Sequence, residues 1–281
     1  MKAAVAALPV TSTRLATSYT TLKVEQLEAT PSVVIVTLNR PQVANALNTL
    51  MAEELCTVWR SLYMDPTLFR CVLLTGAGDR AFCAGADLKE RRSMDDEQWR
   101  KQHAVFEQCM VAMIDCPIPV IAAVQGAAFG GGLEIALAAD FIYASRDARF
   151  ALPEAKLGIM PGLAATQHLP RLCGQARAKE VILTGDAFDA DEAATWGLVN
   201  RVCDDANATY ESAIDTACRI AANAPLSVRQ IKRAIQSGAE LPLRSGFALE
   251  LEAYNRTIGT QDRREGIDAY HAKRPPVFTG M

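Results

Sequence analysis

Short apolar runs alternate with segments of helical spacing through the first part of the chain. The runs at 33–38, 71–74 and 120–124 are dense in apolar side chains and predict buried strands. Between them, apolar residues recur at helical intervals over 47–62 and 97–113. Strands that alternate with helices in this way indicate an α/β fold.

The remaining segments predict three regions along the chain. A further strand at 21–27 alternates polar and apolar residues, and a turn at Thr30–Ser32 separates it from the next strand. We expect residues 21–200 to form the α/β core. Residues 201–281 form a helical region that we expect to pack on a neighbouring subunit. The spacing predicts later helices at 176–183, 190–196, 210–223, 227–236 and 243–255.

Residues 1–20 are predicted to be a loosely packed N-terminal extension. They contain Lys2 and Arg14, no acidic residue and many Ser, Thr and Ala residues. This composition has some features of an organelle transit peptide but not the arginine density. The high ratio of arginine to lysine favours a bacterial cytoplasmic protein. The mitochondrial matrix is the alternative if residues 1–20 are a transit peptide.

Composition and charge exclude several classes of protein. The 281 residues carry a net charge of −3, which gives no reason to expect a nucleic-acid or membrane-surface partner. No apolar run approaches the roughly 20 residues that span a bilayer. The eight cysteines form no CxxC pair, and the three histidines form no HxxxH pattern. We therefore expect free thiols in a reducing compartment and no metal site.

A run of three glycines, Gly130–Gly132, precedes an apolar helix, and its backbone is not covered by side chains. Without side chains, the free N–H groups at the start of a helix converge on one negative group. This arrangement suits a phosphate or a developing oxyanion. Glu134 follows one turn into that apolar helix. Burial of its carboxylate is costly unless chemistry uses it, although a Glu that caps the helix dipole is the simpler alternative.

A second carboxylate, Glu154, stands in an apolar loop punctuated by proline and glycine. Alone it is weak evidence, since a Pro-Glu pair often begins a solvated turn. Two carboxylates in apolar surroundings are what general acid/base chemistry needs near neutral pH. We therefore expect Glu134 and Glu154 to lie in one pocket.

A third stretch, 76–89, follows a predicted strand and is rich in small residues. Its Gly76-x-Gly78-x-x-Ala81 spacing is superficially that of a dinucleotide-binding turn, but no helix opens directly after it. The stretch is better interpreted as a loop in which 84–86 bring a backbone N–H close to a substrate oxygen. No Ser-His-Asp grouping is evident, and His168 is interpreted as a residue on a helix surface.

Together these segments resemble the enoyl-CoA hydratase/isomerase (crotonase) superfamily. The resemblance runs from about Tyr19 to the C-terminus, and its motifs occur in the family's order and spacing: Asn39-Arg40-Pro41, Asn45-Ala46-Leu47, 81–89, 129–134, Pro153-Glu154 and Pro161-Gly162. The resemblance implies a spiral of β-β-α units with a C-terminal helical trimerisation region. It also implies a homotrimer, or a hexamer built as a dimer of trimers.

The resemblance also implies residue roles. The backbone N–H groups of Ala86 and Gly131 form an oxyanion hole for an acyl-CoA thioester. Glu134 orients and deprotonates the attacking water, and Glu154 exchanges the proton at the α carbon. Further contacts with the CoA substrate are expected from Ala84, Asp87, Leu88, Lys89, Gly130 and Gly162, with Tyr270 and Lys273 supplied by a neighbouring subunit.

Two departures from the family pattern bear on the substrate. Gln42 replaces a basic residue of some relatives, and Ala164-Ala165 replaces a common Gly-Gly pair, which puts the acyl chain length in doubt. The segments 82–91 and 273–276 look closest to the methylglutaconyl-CoA hydratase branch. One member of that branch binds RNA through a lysine-studded helix, but the matching segment 50–60 here has no lysine.

Three functional hypotheses follow. An enoyl-CoA hydratase is favoured, because relatives that isomerise commonly lack one of the two glutamates. An isomerase on the same fold, or a hydratase specific for methylglutaconyl-CoA, is the alternative. An RNA-binding or scaffold role is disfavoured by the missing lysines.

Overall fold

The computed structural model describes residues 18–281, so the predicted extension 1–20 lies outside the described residues except at its end. A six-stranded sheet forms the centre of the fold, in the order β1-β2-β3-β5-β7-β10. All of its neighbouring strands are parallel except the β1/β2 pair. Its strands are β1 (Leu22–Leu27), β2 (Thr30–Leu38), β3 (Cys71–Gly76), β5 (Val120–Val124), β7 (Phe141–Ser145) and β10 (Arg201–Cys203).

A second sheet of four short strands lies in the order β4-β6-β8-β9. These are β4 (Ala81–Cys83), β6 (Ala127–Phe129), β8 (Arg149–Ala151) and β9 (Phe188–Asp189). Each of β3, β5 and β7 is followed directly by a strand of this second sheet and then by helix. The chain therefore winds as successive β-β-α turns, and the predicted α/β spiral is confirmed.

Most helices of the core follow the predicted positions with small shifts, but the short helix at 88–91 was not predicted. They are α1 (Thr49–Met64), α2 (Leu88–Arg91), α3 (Asp96–Ile114), α4 (Gly131–Leu137), α5 (Ala165–Thr184) and α6 (Ala190–Thr195). Two short 3-10 helices, Pro41–Val43 and Pro153–Leu157, lie between them. The first part of α5 was not predicted, and Gly174, at φ 77°, breaks the helix within it.

The predicted turn at Thr30–Ser32 is wrong. The turn lies at Glu28 and Ala29, and Thr30 already begins β2. The sequence suggested otherwise because proline is rare inside strands. Pro31 is tolerated because the register with β1 shifts at this end, and pairing with β3 starts only at Val33.

Both faces of the larger sheet are covered by apolar side chains. Helix α1 places Met51, Leu55 and Trp59 against one face, at the spacing of a helix stripe. The other face packs on Ala213 and Ala217 of α7 (Ala206–Ala221). Coverage on both faces explains why the central strands are continuous apolar runs.

Four helices follow β10: α7, α8 (Pro225–Gly238), α9 (Leu243–Ile258) and α10 (Gln261–Ala272). The last of these was not predicted. Helix α8 is tied to the core where Lys232 Nζ donates to Asp140 Oδ2 at 2.7 Å and to the Ile118 carbonyl at 3.0 Å. None of the helices within residues 18–281 is long and apolar enough to cross a membrane.

Candidate active site

The glycine run forms a tight turn from β6 into α4. Gly130, at φ 51° and ψ −126°, is the N-cap residue, and Gly131 is the first residue of the helix. A Cβ on Gly130 would lie 2.7 Å from Glu154 Oε1, so a side chain has no room there. The N–H of Gly131 belongs to the first helical turn, where the helix offers no acceptor.

The small-residue loop after β4 faces this turn. Leu47 N donates to the Gly85 carbonyl at 2.8 Å, and Asp87 N donates to the Leu47 carbonyl at 2.9 Å. Alternation along the extended backbone directs the intervening Ala86 N–H away from Leu47. A Cβ built on Gly131 would lie 4.0 Å from Ala86 N, so the two backbones are close.

The N–H groups of Ala86 and Gly131 have no hydrogen-bond acceptor within residues 18–281. Two free backbone donors beside an open space are the geometry that binds a developing oxyanion. The structure therefore brings together the two backbone donors that the sequence singled out. The chain also runs from β3 through β4 into this loop with no helix directly after Gly78, unlike a dinucleotide-binding turn.

Glu134 is buried on α4, with 2% of its surface exposed. Its Oε1 accepts from Leu163 N at 2.7 Å and from Ala165 N at 3.0 Å. Burial raises the pKa of Glu134 to about 7, because desolvation and, to a smaller extent, the nearby Glu154 outweigh the backbone N–H groups that favour the charged form. The carboxylate is thus held in place while it remains titratable near neutral pH.

Glu154 lies in the 3-10 helix Pro153–Leu157 and is 8% exposed. Burial raises the pKa of its carboxyl group, and the positive charge of Arg91 opposes this rise. Its Oε2 atom is buried and has no hydrogen-bond partner among the described residues. A buried polar atom without a partner is uncommon and calls for a functional explanation.

One cavity of about 900 Å³ joins these groups. Glu134 and Glu154 both line it, beside Ala86 and Gly131, so the predicted pairing of the two carboxylates in space is observed. Other predicted contact residues that line the cavity are Ala84, Leu88, Gly130 and Gly162.

Four predicted CoA-contact residues do not line this cavity. Asp87 caps α2 by accepting from Lys89 N at 3.1 Å, and it pairs with Arg40 at 3.0 Å, so its carboxylate is engaged in structure. Lys89 is exposed outside the cavity. Tyr270, on α10, and Lys273, just after it, lie away from the cavity, and their predicted role concerns the site of another subunit.

Sequence reasoning missed the wall that α2 and α3 contribute. Arg91, Trp99, His103 and Phe106 line the cavity. Positions 99, 103 and 106 are spaced for one helix face, which is the signal that could have found them. No histidine belongs to the small-residue loops, as predicted, yet a Cβ on Gly162 would lie 2.5 Å from His103 Cε1. The predicted surface residue His168 is half-buried on α5, and burial lowers its pKa.

The departure at Ala164 also becomes interpretable. Ala164 adopts a left-handed backbone conformation, with φ 76°, and lines the cavity beside Leu163. Glycine adopts this conformation without strain, which explains why the family often carries glycine here. The alanine methyl group adds bulk to the cavity wall.

The family model for enoyl-CoA hydratase/isomerase matches residues 28–281. The fold is shared with solved proteins of that class. A crystal structure of an enoyl-CoA hydratase from Bacillus anthracis aligns with a TM-score of 0.90 and 43% identity, over 93% of this chain and 100% of that chain. The chain therefore belongs to the enoyl-CoA hydratase/isomerase (crotonase) family of enzymes.

Relatives in this family carry several activities in their names. The protein YngF of Bacillus subtilis (strain 168), named for enoyl-CoA hydratase/isomerase, is 45% identical over 88% of this chain and 94% of its own length. The mitochondrial methylglutaconyl-CoA hydratase of Mus musculus is 36% identical over 92% of this chain and 83% of its own length. An acyl-CoA thioester is the substrate class that these names share.

Proposed function

We propose that the protein is an enoyl-CoA hydratase, a hydro-lyase that adds water reversibly and syn to a 2-trans-enoyl-CoA to give a 3-hydroxyacyl-CoA. The observation that carries the proposal is the cavity shared by Glu134, Glu154 and the free N–H groups of Ala86 and Gly131. Hydration needs one carboxylate as a base and one carboxyl group as an acid on the same substrate.

In this mechanism the thioester carbonyl oxygen accepts hydrogen bonds from Ala86 N–H and Gly131 N–H. Glu134 removes a proton from a water molecule, whose oxygen forms the new bond to C3. The electron pair of the double bond moves onto the thioester, and the two N–H groups stabilise the resulting enolate. Glu154 then donates a proton to C2. One such backbone donor is worth roughly 3–4 kcal/mol to the transition state.

The raised pKa values support acid/base chemistry by this pair of carboxyl groups. Burial raises the pKa of both carboxyl groups, to about 7 for Glu134, so the pair retains protons closer to neutrality than exposed glutamates do. A pair that holds one proton contains both the base and the acid that hydration requires.

The first experiment follows the loss of enoyl-thioester absorbance when the protein is mixed with crotonyl-CoA. We expect Glu134→Gln and Glu154→Gln each to lower kcat roughly 10²- to 10⁴-fold, the usual contribution of a general acid or base. Glu97→Gln is the matched control, because Glu97 is an exposed glutamate paired with Lys101 on α3.

An isomerase gives a different pattern when the same variants are tested with a second substrate. With a 3-enoyl-CoA as substrate, a protein that only moves the double bond retains proton transfer in Glu134→Gln, because one carboxyl group can carry the proton between carbons. Rapid isomerisation by wild type and Glu134→Gln, with no hydration of crotonyl-CoA by either, would overturn the hydratase proposal.

The proposal extends to the assembly and its setting. We propose a homotrimer, or a dimer of trimers, in which Tyr270 and Lys273 reach the CoA site of a neighbour. The support is the apolar face of α9, where Leu243 is 87% and Tyr254 is 64% exposed. No cofactor, metal or nucleic acid enters the proposed reaction, and CoA is part of the substrate. A cytoplasmic location is proposed from the composition alone.

A further inference from the structure

Arg91 is one of two arginines, with Arg100, in the wall of the cavity, and it lies beside apolar side chains. It ends the short helix α2, is half-buried and lines the cavity together with Trp99 and Phe106. Its guanidinium carbon lies 4.4 Å from the centroid of the Trp99 ring and 5.4 Å from that of Phe106. Contact with aromatic faces holds the planar group in one orientation.

A buried hydrogen-bond network fixes the same guanidinium from the other side. Arg91 Nε donates to Gln102 Oε1 at 2.8 Å. Gln102, which is 3% exposed, donates in turn to Thr49 Oγ1 at 2.8 Å and to Glu90 Oε2 at 2.7 Å. Arg91 Nε and both polar atoms of the Gln102 amide therefore have partners, and the side chain of Arg91 is pre-organised before any ligand binds.

The donors that remain on Arg91 are unused. Its two terminal NH₂ groups have no hydrogen-bond acceptor within residues 18–281. Glu90 and, less strongly, Glu154 attract the guanidinium through space, yet Glu154 Oε2 accepts no bond from it. Two parallel N–H donors in a fixed plane match the two oxygens of a carboxylate.

We propose that Arg91 binds a carboxylate on the acyl group, so that the preferred substrate is a 2-enoyl-CoA with a second, distal carboxylate. This inference rests on the proposed hydratase function and names its substrate class. The apolar wall formed by Leu47, Trp99 and Phe106 encloses the carbon chain, and Arg91 receives its charged end.

Two substrates with the same CoA portion and nearly the same shape test this inference. Glutaconyl-CoA carries the distal carboxylate, and 5-methyl-2-hexenoyl-CoA replaces that carboxylate with an isopropyl group of similar size. The readout is the ratio of kcat/KM for the acid to that for the neutral substrate. We expect the wild-type protein to favour the acid.

Three variants separate the roles that Arg91 could have. Arg91→Met removes the cation, and Arg91→Lys keeps a positive charge near Glu154 but loses the planar pair of donors. We expect both to lower the ratio, Arg91→Met on the order of 10- to 100-fold, as for a lost charged hydrogen bond. Arg92→Met removes an equal charge from the neighbouring exposed residue, outside the cavity, and is expected to keep the wild-type ratio.

The outcomes distinguish this inference from the proposed function. If Arg91→Met lowers kcat/KM by the same factor for both substrates, Arg91 acts through Glu154 or on the CoA portion that the substrates share, and the inference is wrong. Wild-type protein that hydrates the neutral substrate but rejects glutaconyl-CoA also overturns it and leaves the hydratase intact. If wild type hydrates neither these substrates nor crotonyl-CoA, the proposed function itself fails. Thermal melting of each variant, and its rate with the neutral substrate, show whether it has folded.

Discussion

Glu134 and Glu154 are held in different ways. Glu134 Oε1 is fixed by the backbone N–H groups of Leu163 and Ala165, whereas Glu154 Oε2 has no partner among the described residues. A fixed carboxylate suits the orientation of a water molecule, and a less constrained one suits the delivery of a proton to carbon. The proposed roles of the two residues follow this difference.

The buried carboxyl group of Glu134 should reduce stability at high pH. The native protein keeps this proton up to about pH 7, whereas the unfolded chain loses it near 4.5. The free energy of unfolding therefore falls as pH rises across that window, by about 3 kcal/mol. Glu134→Gln removes this fall and keeps an oxygen for both backbone donors. Urea denaturation at pH 5 and pH 8, at one protein concentration, measures the free energy of unfolding of both proteins. The stability of the variant relative to the wild type should be greater at pH 8 than at pH 5. An equal difference at the two pH values would contradict the assignment.

Alanine substitutions at two adjacent glycines should have different effects: one should lower activity and the other stability. A Cβ on Gly131 meets no atom closer than 3.6 Å, so Gly131→Ala should fold within about 1 kcal/mol of the wild type. Its methyl group nevertheless crowds the space beside Ala86 N, and we expect kcat/KM for crotonyl-CoA to fall on the order of 100-fold.

Gly132→Ala is the matched comparison. Its Cβ would lie 2.1 Å from the Cys83 carbonyl oxygen, so α4 must move away from β4. We expect a loss of about 1–3 kcal/mol in the free energy of unfolding. Thermal melts of both variants check the pair, and equal melting temperatures would show that α4 is not packed against β4 as described.

At the scale of elements, the segment that carries Ala86 depends on a buried side chain far from it in sequence. Asn45 is fully buried; its Oδ1 accepts from Arg40 N at 2.9 Å, and its Nδ2 donates to the Ala77 and Ala81 carbonyls, each at 2.9 Å. These bonds tie the 3-10 turn after β2 to the β3–β4 connection. The loop that carries Ala86 follows β4, which begins at Ala81.

Asn45→Ala should therefore destabilise the protein by about 2–4 kcal/mol, because it leaves buried backbone groups without partners. Asn45 has a φ of 54°, which alanine tolerates poorly. Asn45→Gly loses the same bonds without the backbone strain and should be about 1 kcal/mol more stable than Asn45→Ala. Chemical denaturation of both variants measures the difference, and a smaller loss for alanine than for glycine would contradict it.

Helix α3 shows how one element connects packing to specificity. Its buried face contributes Phe106, Met110 and Met113 to the core, while Trp99 and His103 project into the cavity. The same helix supplies Gln102, which fixes Arg91. A change in the angle of α3 would therefore alter the acyl pocket without a change in either glutamate.

At the scale of the whole molecule, the C-terminal helices leave a large apolar surface uncovered. Leu243, Phe247, Leu251 and Tyr254 recur at helical spacing on α9, with exposed fractions of 87, 55, 47 and 64%. Exposed patches of this kind mark interaction surfaces. The proposed trimer covers this face with other copies of the chain.

Leu251→Asp should shift the assembly toward monomer in light scattering at low protein concentration, because a buried carboxylate has no partner there. The rate of crotonyl-CoA hydration should also fall, since in a monomer Tyr270 and Lys273 of another subunit no longer reach the CoA site. Leu172→Asp is the control, because Leu172 is also 47% exposed but lies on α5. An unchanged mass for Leu251→Asp would rule out this face as the contact.

The sequence by itself determined the features that depend on neighbours along the chain. Apolar runs gave the central strands, the glycine run marked the turn into α4, and Glu134 stood out as a charge within an apolar helix. Order and spacing of the motifs identified the family. These features are local, because periodicity and backbone freedom are set within a few residues.

Only the tertiary structure decided which distant side chains share the cavity. Arg91 and His103 lie in unremarkable polar segments, and only the packing of α3 beside the 160–164 loop brings His103 against Gly162. The donors to Glu134, Leu163 N and Ala165 N, are about thirty residues away along the chain, and burial raises the pKa of Glu134. The start of β2 was likewise set by pairing across strands, since Pro31 is acceptable only where the register shifts. Desolvation and long-range contacts create these properties, and neither is encoded in local spacing.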